Sequence, residues 1–445
     1  MEYIVNTPCG AVRGAPYKDG VVAYKGIRYA RAGRFEYPTE ITEWEGVYDA
    51  SEYGACAYQL RAFYDEEKMP KKAFYYNEFR RGETYKYSED CLFLNVFAPA
   101  SAEEKLPVIV YIHGGSFTGG CANEKHFDGP VWPEMKVIGV TLNYRIGPLG
   151  FAVLPELKEE AGKTGNYGLY DQLAAINWVR HNIAAFGGDP DNITIMGQSA
   201  GAMSVQQHCL SPLSRGTFHK AVMCSGGGVS RVLAAPLPEK RFEFWKMIME
   251  KCGAKTLDEF RAVPVERLYS VWQEKKKASM GGGCSPVIDG ELVVSTSHEA
   301  VRSGAQHDIP YLIGTTSHDV IPPVLYSTAK KWCKKASKRA YLWFFERNLP
   351  GDDHGAWHSA DLWYWFGTLD NCWRPFTEKD RALSREMCER LCEFARSGNP
   401  NSLGYVEWRP GADRALTLGD GDTVLSAPSS FRLWKTMLTN DAPGE

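Results

Sequence analysis

The sequence predicts an α/β fold: a mostly parallel central sheet covered by helices on both faces. Three observations carry this expectation. Short apolar runs recur along the chain, helix-period segments lie between several of them, and the composition can bury a large core. The runs are LFLNVF at 92–97, VIVYI at 108–112, VIGVTLNY at 137–144, ITIM at 193–196, AVMC at 221–224 and PYLIG at 310–314. Most are rich in Val and Ile and bounded by Gly or Pro, as strands buried on both faces are. Between them, Leu169, Leu173, Ile176, Val179, Ile183 and Phe186 recur at steps of three or four, one face of a five-turn helix. Strands alternating with helices imply a parallel, doubly covered sheet.

The 445 residues are 44% apolar and 24% charged, a globular composition that excludes a disordered or fibrous chain. With 51 basic against 54 acidic side chains the formal charge is −3, so no nucleic-acid or anionic-membrane partner is expected. No apolar stretch is long enough to span a bilayer. The opening MEYIVNTPCGAVRGAP has neither a basic n-region nor an apolar h-region. Twelve cysteines without a C-x-x-C pair read as reduced thiols in a cytoplasmic protein. Cys388 and Cys392 have no second pair, and no metal or cofactor is expected. The expected assembly is a monomer or small homo-oligomer.

In chain order, residues 3–29 read as antiparallel hairpins at a sheet edge. Residues 56–91 are aromatic and charged without clear period, and read as a long surface loop. Residues 227–305 are helix-rich. The whole chain, 1–445, is expected to be one domain with helical cap insertions at about 227–305 and 320–357. Lys330, Lys331, Lys334, Lys335, Lys338 and Arg339 lie among aromatic residues in 328–347, and a solvated helix face explains the run.

The sharpest chemical signal is Gly197-Gln198-Ser199-Ala200-Gly201. The run ITIM leads into it and AMSVQQHCL reads as a helix leaving it. A strand–turn–helix of this kind forces a sharp turn that presents a serine hydroxyl above the sheet, over a helix N-terminus. A serine that merely caps an ordinary helix is the plainer reading. A second feature answers the first: His113-Gly114-Gly115-Ser116-Phe117 follows VIVYI and continues into Thr118-Gly119-Gly120. Acyl transfer needs donors preset where a tetrahedral oxyanion will sit, and N–H groups of Gly115, Ser116 and Ala200 can converge there. No phosphate-binding glycine pattern is present.

A nucleophilic serine needs a base, and the base an orienting acid. Asp319, in GTTSHDV directly after PYLIG, occupies the position of a sheet-borne acid. His208 and His219 read as structural or exposed. Residue logic leaves the base open between His358 and His354, in HGAWH, which lacks the Glu of a zinc-protease helix.

The chain resembles the type-B carboxylesterases, the cholinesterase-like branch of the α/β-hydrolases. The likeness rests on GIRYA at 26–30, SEDCLFLNV at 88–96, HGGSF at 113–117 and NYRIGPLGF at 143–151. It continues through GNYGLYDQLAAINWVRHNIAAFGGDPDNITIMGQSAG at 165–201, LSPLSRGTFHKAVMCSGG at 210–227, PVIDG at 286–290 and FARSGNPN at 394–401. The resemblance implies an α/β-hydrolase fold and a serine carboxylesterase acting on a small-molecule ester. It implies Ser199 as nucleophile, His358 as base and Asp319 where the family usually has Glu. Amide, carbamate or lactone cleavage by the same parts is the rival among enzymes. A non-catalytic binding protein is the rival outside them.

Departures from the family pattern carry further expectations. Gln198 stands where a Glu is common, so no preference for cationic substrates is expected. Lys330 to Arg339, if near the mouth, would make the rim positive. Ser116 replaces a smaller residue and Arg28 a Pro. Cys91 sits where secreted relatives close a disulfide, with Cys56 as possible partner; free thiols are expected here. The short segment between Asp319 and His358 predicts a comparatively open site, with Trp357 as a flat wall and Gln198 and Phe117 as pocket residues.

Overall fold

A computed structural model of the chain describes residues 3–18, 20–60, 73–101, 104–231, 233–336, 339–402 and 404–439. A 13-stranded sheet runs through them. In chain order its main strands are β1 (Tyr3–Thr7), β2 (Gly10–Lys18), β3 (Val21–Arg28), β4 (Phe93–Pro99), β5 (Leu106–Ile112) and β6 (Ile138–Leu142). They continue as β7 (Gly188–Gln198), β8 (Lys220–Cys224), β9 (Tyr311–Thr316), β10 (Ala340–Glu346), β11 (Gly411–Gly419) and β12 (Val424–Ser426). The spatial order is β1-β2-β3-β4-β6-β5-β7-β8-β9-β10-β11-β12, with Val47–Asp49 paired to β2. From β6 through β11 every neighbour is parallel. The N-terminal strands and β12 pair antiparallel.

Alternation along the parallel strands explains why both faces are covered. Val108, Val110 and Ile112 of β5 face one apolar cluster, Ile109 and Tyr111 the other. The first cluster takes in Ile176 and Val179 of α2, where α1 is Ala73–Phe79 and α2 Tyr167–Asn182. It also takes in Ala202 and Val205 of α3 (Ala200–Leu210). The second cluster takes in Trp357, Trp363, Leu391 and Phe394. The NYRIG and LYDQ segments are joined by a buried fork: Arg145 Nη2 donates to Asp171 Oδ1 at 2.7 Å and Nε to Oδ2 at 2.8 Å. Among the described residues, no helix is long and apolar enough to cross a membrane.

Two expectations change. Residues 320–357 are not a cap: the helix Pro322–Lys335 packs on the sheet, and Ala340–Glu346 is strand β10 between β9 and β11. The lysine run masked this strand, whose side chains alternate between the two clusters, Leu342 and Phe344 against Trp343 and Phe345. Lys338 lies outside the described residues. Nor is 56–91 a surface loop throughout, although 61–72 lie outside the described residues. Cys56–Ala57 pairs with Tyr87–Ser88, and α1 brings Glu78, Phe79 and Arg80 into the interior. Between β8 and β9, helices Glu239–Lys251 and Val265–Lys275 pack with Phe117, Leu149, Phe151 and Ala200 in a third apolar cluster.

Candidate active site

Four of the five consecutive parallel strands β5-β7-β8-β9-β10 deliver the predicted residues from their carboxyl ends to one edge, where open α/β sheets hold their ligands. Ser199 lies between β7 and α3 with φ +54° and ψ −121°, a backbone conformation that L residues rarely adopt. Its N–H donates to the Cys224 carbonyl at 2.9 Å, and its carbonyl accepts from Met203 N–H at 3.0 Å. Gly201 permits the turn, because a Cβ there would stand 2.1 Å from the Ile112 carbonyl oxygen. Ser199 is half-buried.

Asp319, after β9, and His358, after β10, are 2% and 3% exposed. His358 Nδ1 and Asp319 Oδ1 are 2.5 Å apart. Asp319 Oδ1 also accepts from Val320 N–H at 2.9 Å and Oδ2 from Thr316 N–H at 3.2 Å. Burial alone would raise this carboxyl, but His358, the Ser225 hydroxyl and the backbone donor hold it below the ordinary range. With Nδ1–H given to Asp319, His358 Nε2 carries the lone pair and is the accepting nitrogen. The Gln198 amide Nε2 lies 3.0 Å from it. A second carboxyl, Asp361, is fully buried nearby. Burial and then the charge of Asp319 push it up to about 7. Trp365 Nε1–H donates to its Oδ2 at 3.2 Å.

The loop after β5 is wound tightly. Thr118 and Gly119 N–H both donate to the Gly115 carbonyl at 2.9 Å. Gly115 has φ +108°, and a Cβ there would meet the Gly119 oxygen at 2.2 Å. Ser116 and Phe117 follow with φ +55° and +58°. Ala200 opens α3, so its N–H belongs to the first turn, where helix donors lack intrahelical partners. A brace that carries no signal in the sequence holds this loop. The Gln59 amide exchanges two hydrogen bonds with Gly120, N–H to Oε1 and Nε2 to carbonyl, each 2.9 Å. Arg80 Nη2 donates to Gln59 Oε1 at 3.1 Å, and Arg80 Nε to Glu124 Oε1 at 2.6 Å, all three side chains being buried.

The profile described as the carboxylesterase family matches residues 1–339 and 321–420. The para-nitrobenzyl esterase of Bacillus subtilis (strain 168) is 36% identical, over 97% of this chain and 98% of its own length. The chain belongs to the carboxylesterase family. The acylcarnitine hydrolase of Mus musculus is 34% identical over 91% of the chain and 85% of its own length. A solved thermophilic PNB esterase superposes with a TM-score of 0.83 at 28% identity, covering 97% of this chain and 99% of its own. Another PNB esterase structure gives 0.82. The fold is that of the α/β-hydrolases, and the chain is a carboxylic ester hydrolase.

Within this carboxylesterase several pocket expectations shift. Trp357 is not a pocket wall. It is fully buried behind Phe74, Tyr75 and Phe79, with ring centroids at 5.0, 5.7 and 5.7 Å. Tyr75 and Phe79, from α1, line the void beside Gln198 together with Gly114, Gly115, Ser359 and Leu362. That void is about 30 Å³, room for roughly one water. The opening expected from the short Asp319–His358 segment is therefore filled on this side by α1. Glu78 anchors the helix by accepting from Trp363 Nε1 at 2.9 Å and Arg374 Nε at 2.8 Å. Phe117 is buried against Phe151 at 5.0 Å. His354 packs edge-on to Phe74 at 4.9 Å. Cys56 and Cys91 are buried and free, and Cys56 Sγ accepts from Asn123 Nδ2 at 3.4 Å. Lys330, Lys331, Lys334 and Lys335 line a separate groove to which Ser199 does not contribute.

Proposed function

We propose that the chain hydrolyses uncharged carboxylic esters through an acyl-enzyme on Ser199. The observation that carries this reading is the buried 2.5 Å contact between His358 Nδ1 and Asp319 Oδ1 at the sheet edge that also bears the strained Ser199. As Ser199 Oγ attacks the ester carbonyl carbon, His358 Nε2 takes its proton. Asp319 fixes the tautomer and stabilises the imidazolium that forms. The negative charge on the former carbonyl oxygen falls to the N–H groups of Gly115, Ser116 and Ala200, an oxyanion hole that costs no reorganisation during reaction. His358 then returns the proton to the departing alcohol. Water, deprotonated by the same histidine, cleaves the acyl-enzyme and releases the acid.

Gln198 shapes both the cycle and the substrate class. Its amide N–H and the Ser199 hydroxyl compete for the one lone pair on His358 Nε2, so the amide yields when serine donates. Being neutral, it offers no counter-charge to a cationic alcohol. The test is turnover of p-nitrophenyl acetate by pure protein. The wild type releases p-nitrophenolate, and Ser199→Ala falls to the rate of buffer. Equal rates for the two proteins would sink the assignment.

A further inference from the structure

A groove of about 1020 Å³ opens between helices Ser297–Arg302, Pro322–Lys335 and Ser430–Thr439, and none of Ser199, Asp319 or His358 lines it. Its making follows from the helix Pro322–Lys335. Leu325, Tyr326, Ala329, Trp332 and Cys333 turn one face into the sheet core. Lys330, Lys331, Lys334 and Lys335 are thereby left on the groove side, and Arg231 and Arg302 join them from two other segments. Six cations thus surround one concavity, and among the described residues no carboxylate lines it. The nearby Glu299 is engaged in capping its own helix at Thr296. The floor is apolar: Val229, Val301, Tyr326 and Leu433 are buried there, and Trp434 stands half-exposed at the edge.

Gathering like charges around a low-dielectric floor raises the local positive potential, and a bound anion relieves it. Charge alone would suit any anion. The apolar floor and the Trp434 ring select one with an apolar body, and the volume matches that of small-molecule clefts. A second copy of the chain fits poorly, because a two-fold contact here would set the same cations against each other. We propose that this groove binds a single-chain anionic amphiphile, a carboxylate or sulfate head on an alkyl or aryl body, taken up as one molecule.

The test is calorimetric titration of the full chain with decanoate below its micelle concentration. The wild type binds one molecule. Binding weakens at least about tenfold in Lys331→Glu/Lys334→Glu, and severalfold between about 50 and about 500 mM salt. Decyltrimethylammonium and 1-decanol bind at least about tenfold more weakly than decanoate. Unchanged hydrolysis of p-nitrophenyl acetate by the charge-reversed variant shows that it is folded. Trp434→Ala, which leaves the charges in place, loses affinity for the alkyl body in the same assay. Equal decanoate affinity in wild type and charge-reversed protein would overturn the proposal by placing the site elsewhere, the active site included. So would equal affinity for the three head groups, no decanoate binding by the wild type, or uptake only onto vesicles of phosphatidylcholine and phosphatidylglycerol.

Discussion

Asp319 and Asp361 are both fully enclosed, yet their carboxyls move in opposite directions. Asp319 is held low by His358 and its hydrogen-bond donors against the effect of burial, whereas Asp361 has the Trp365 indole and is raised to about 7 by burial and by its charged neighbour. Pairs whose environments push them apart take different roles. Asp319→Asn leaves the wrong tautomer on His358 and is expected to cut kcat by about 10³–10⁴-fold. Asp361→Asn is expected to retain activity within about tenfold, because it removes a carboxyl that does not hold the imidazole. Steady-state kinetics of the two variants check this, and the reverse order would reassign the acid. Asp361 also sets a stability trend. A carboxyl raised on folding stabilises fully below its unfolded value near 4, and loses that contribution as pH rises through about 7. The unfolding free energy of Asp361→Asn should therefore gain on the wild type by roughly 2–4 kcal/mol between about pH 4 and about pH 8. Denaturant titrations at several pH values measure it, and a constant difference would contradict the shift.

At the scale of elements, the glycine loop after β5 is braced by a side chain far away in sequence. Gln59 spends all four of its hydrogen-bonding capacities, on Gly120 twice, on Arg80 and on the Ala57 carbonyl at 3.1 Å. Gln59→Leu keeps the volume and removes every one of these, leaving the Gly120 N–H and carbonyl unpaired. Under the proposed role of this loop in holding the oxyanion, a displacement of a fraction of an ångström is costly, so kcat is expected to fall about ten- to a hundredfold with KM changed less. Unaltered kcat would mean that the loop holds its shape alone. The parallel strands were legible because each buries both faces and so reads as an apolar run, and Ser199 because the turn needs glycines around it. Helix α1 was not legible. Its burial comes from partners such as Trp363 and Arg374, nearly 300 residues on, which no local period records. Strand β10 was hidden for another reason: its apolar run directly follows the lysines of a helix, and the two merged into one charged aromatic segment.

Across the whole molecule, a net charge of −3 conceals a groove lined by six cations that a count of residues cannot reveal. Neither that groove nor Gln198 supplies a carboxylate beside Ser199. A choline ester is therefore expected to exceed its uncharged isostere by less than about tenfold in kcat/KM, and Gln198→Glu to increase the ratio. A large choline preference in the wild type would contradict the reading of Gln198. The candidate site was legible as far as the residue types and the family likeness reach: they point to Ser199, Asp319, His358 and the glycine loop. The contact of Gln198 with His358 Nε2 and the closure by Tyr75 and Phe79 depend on how distant loops pack. The most direct measurement is the mass of protein quenched with acid during turnover of a slowly deacylating p-nitrophenyl ester. One acyl group on the peptide that contains Ser199, missing in Ser199→Ala and formed far more slowly in His358→Gln, is the predicted result. Turnover with no adduct, or with the acyl group on another residue, would contradict it.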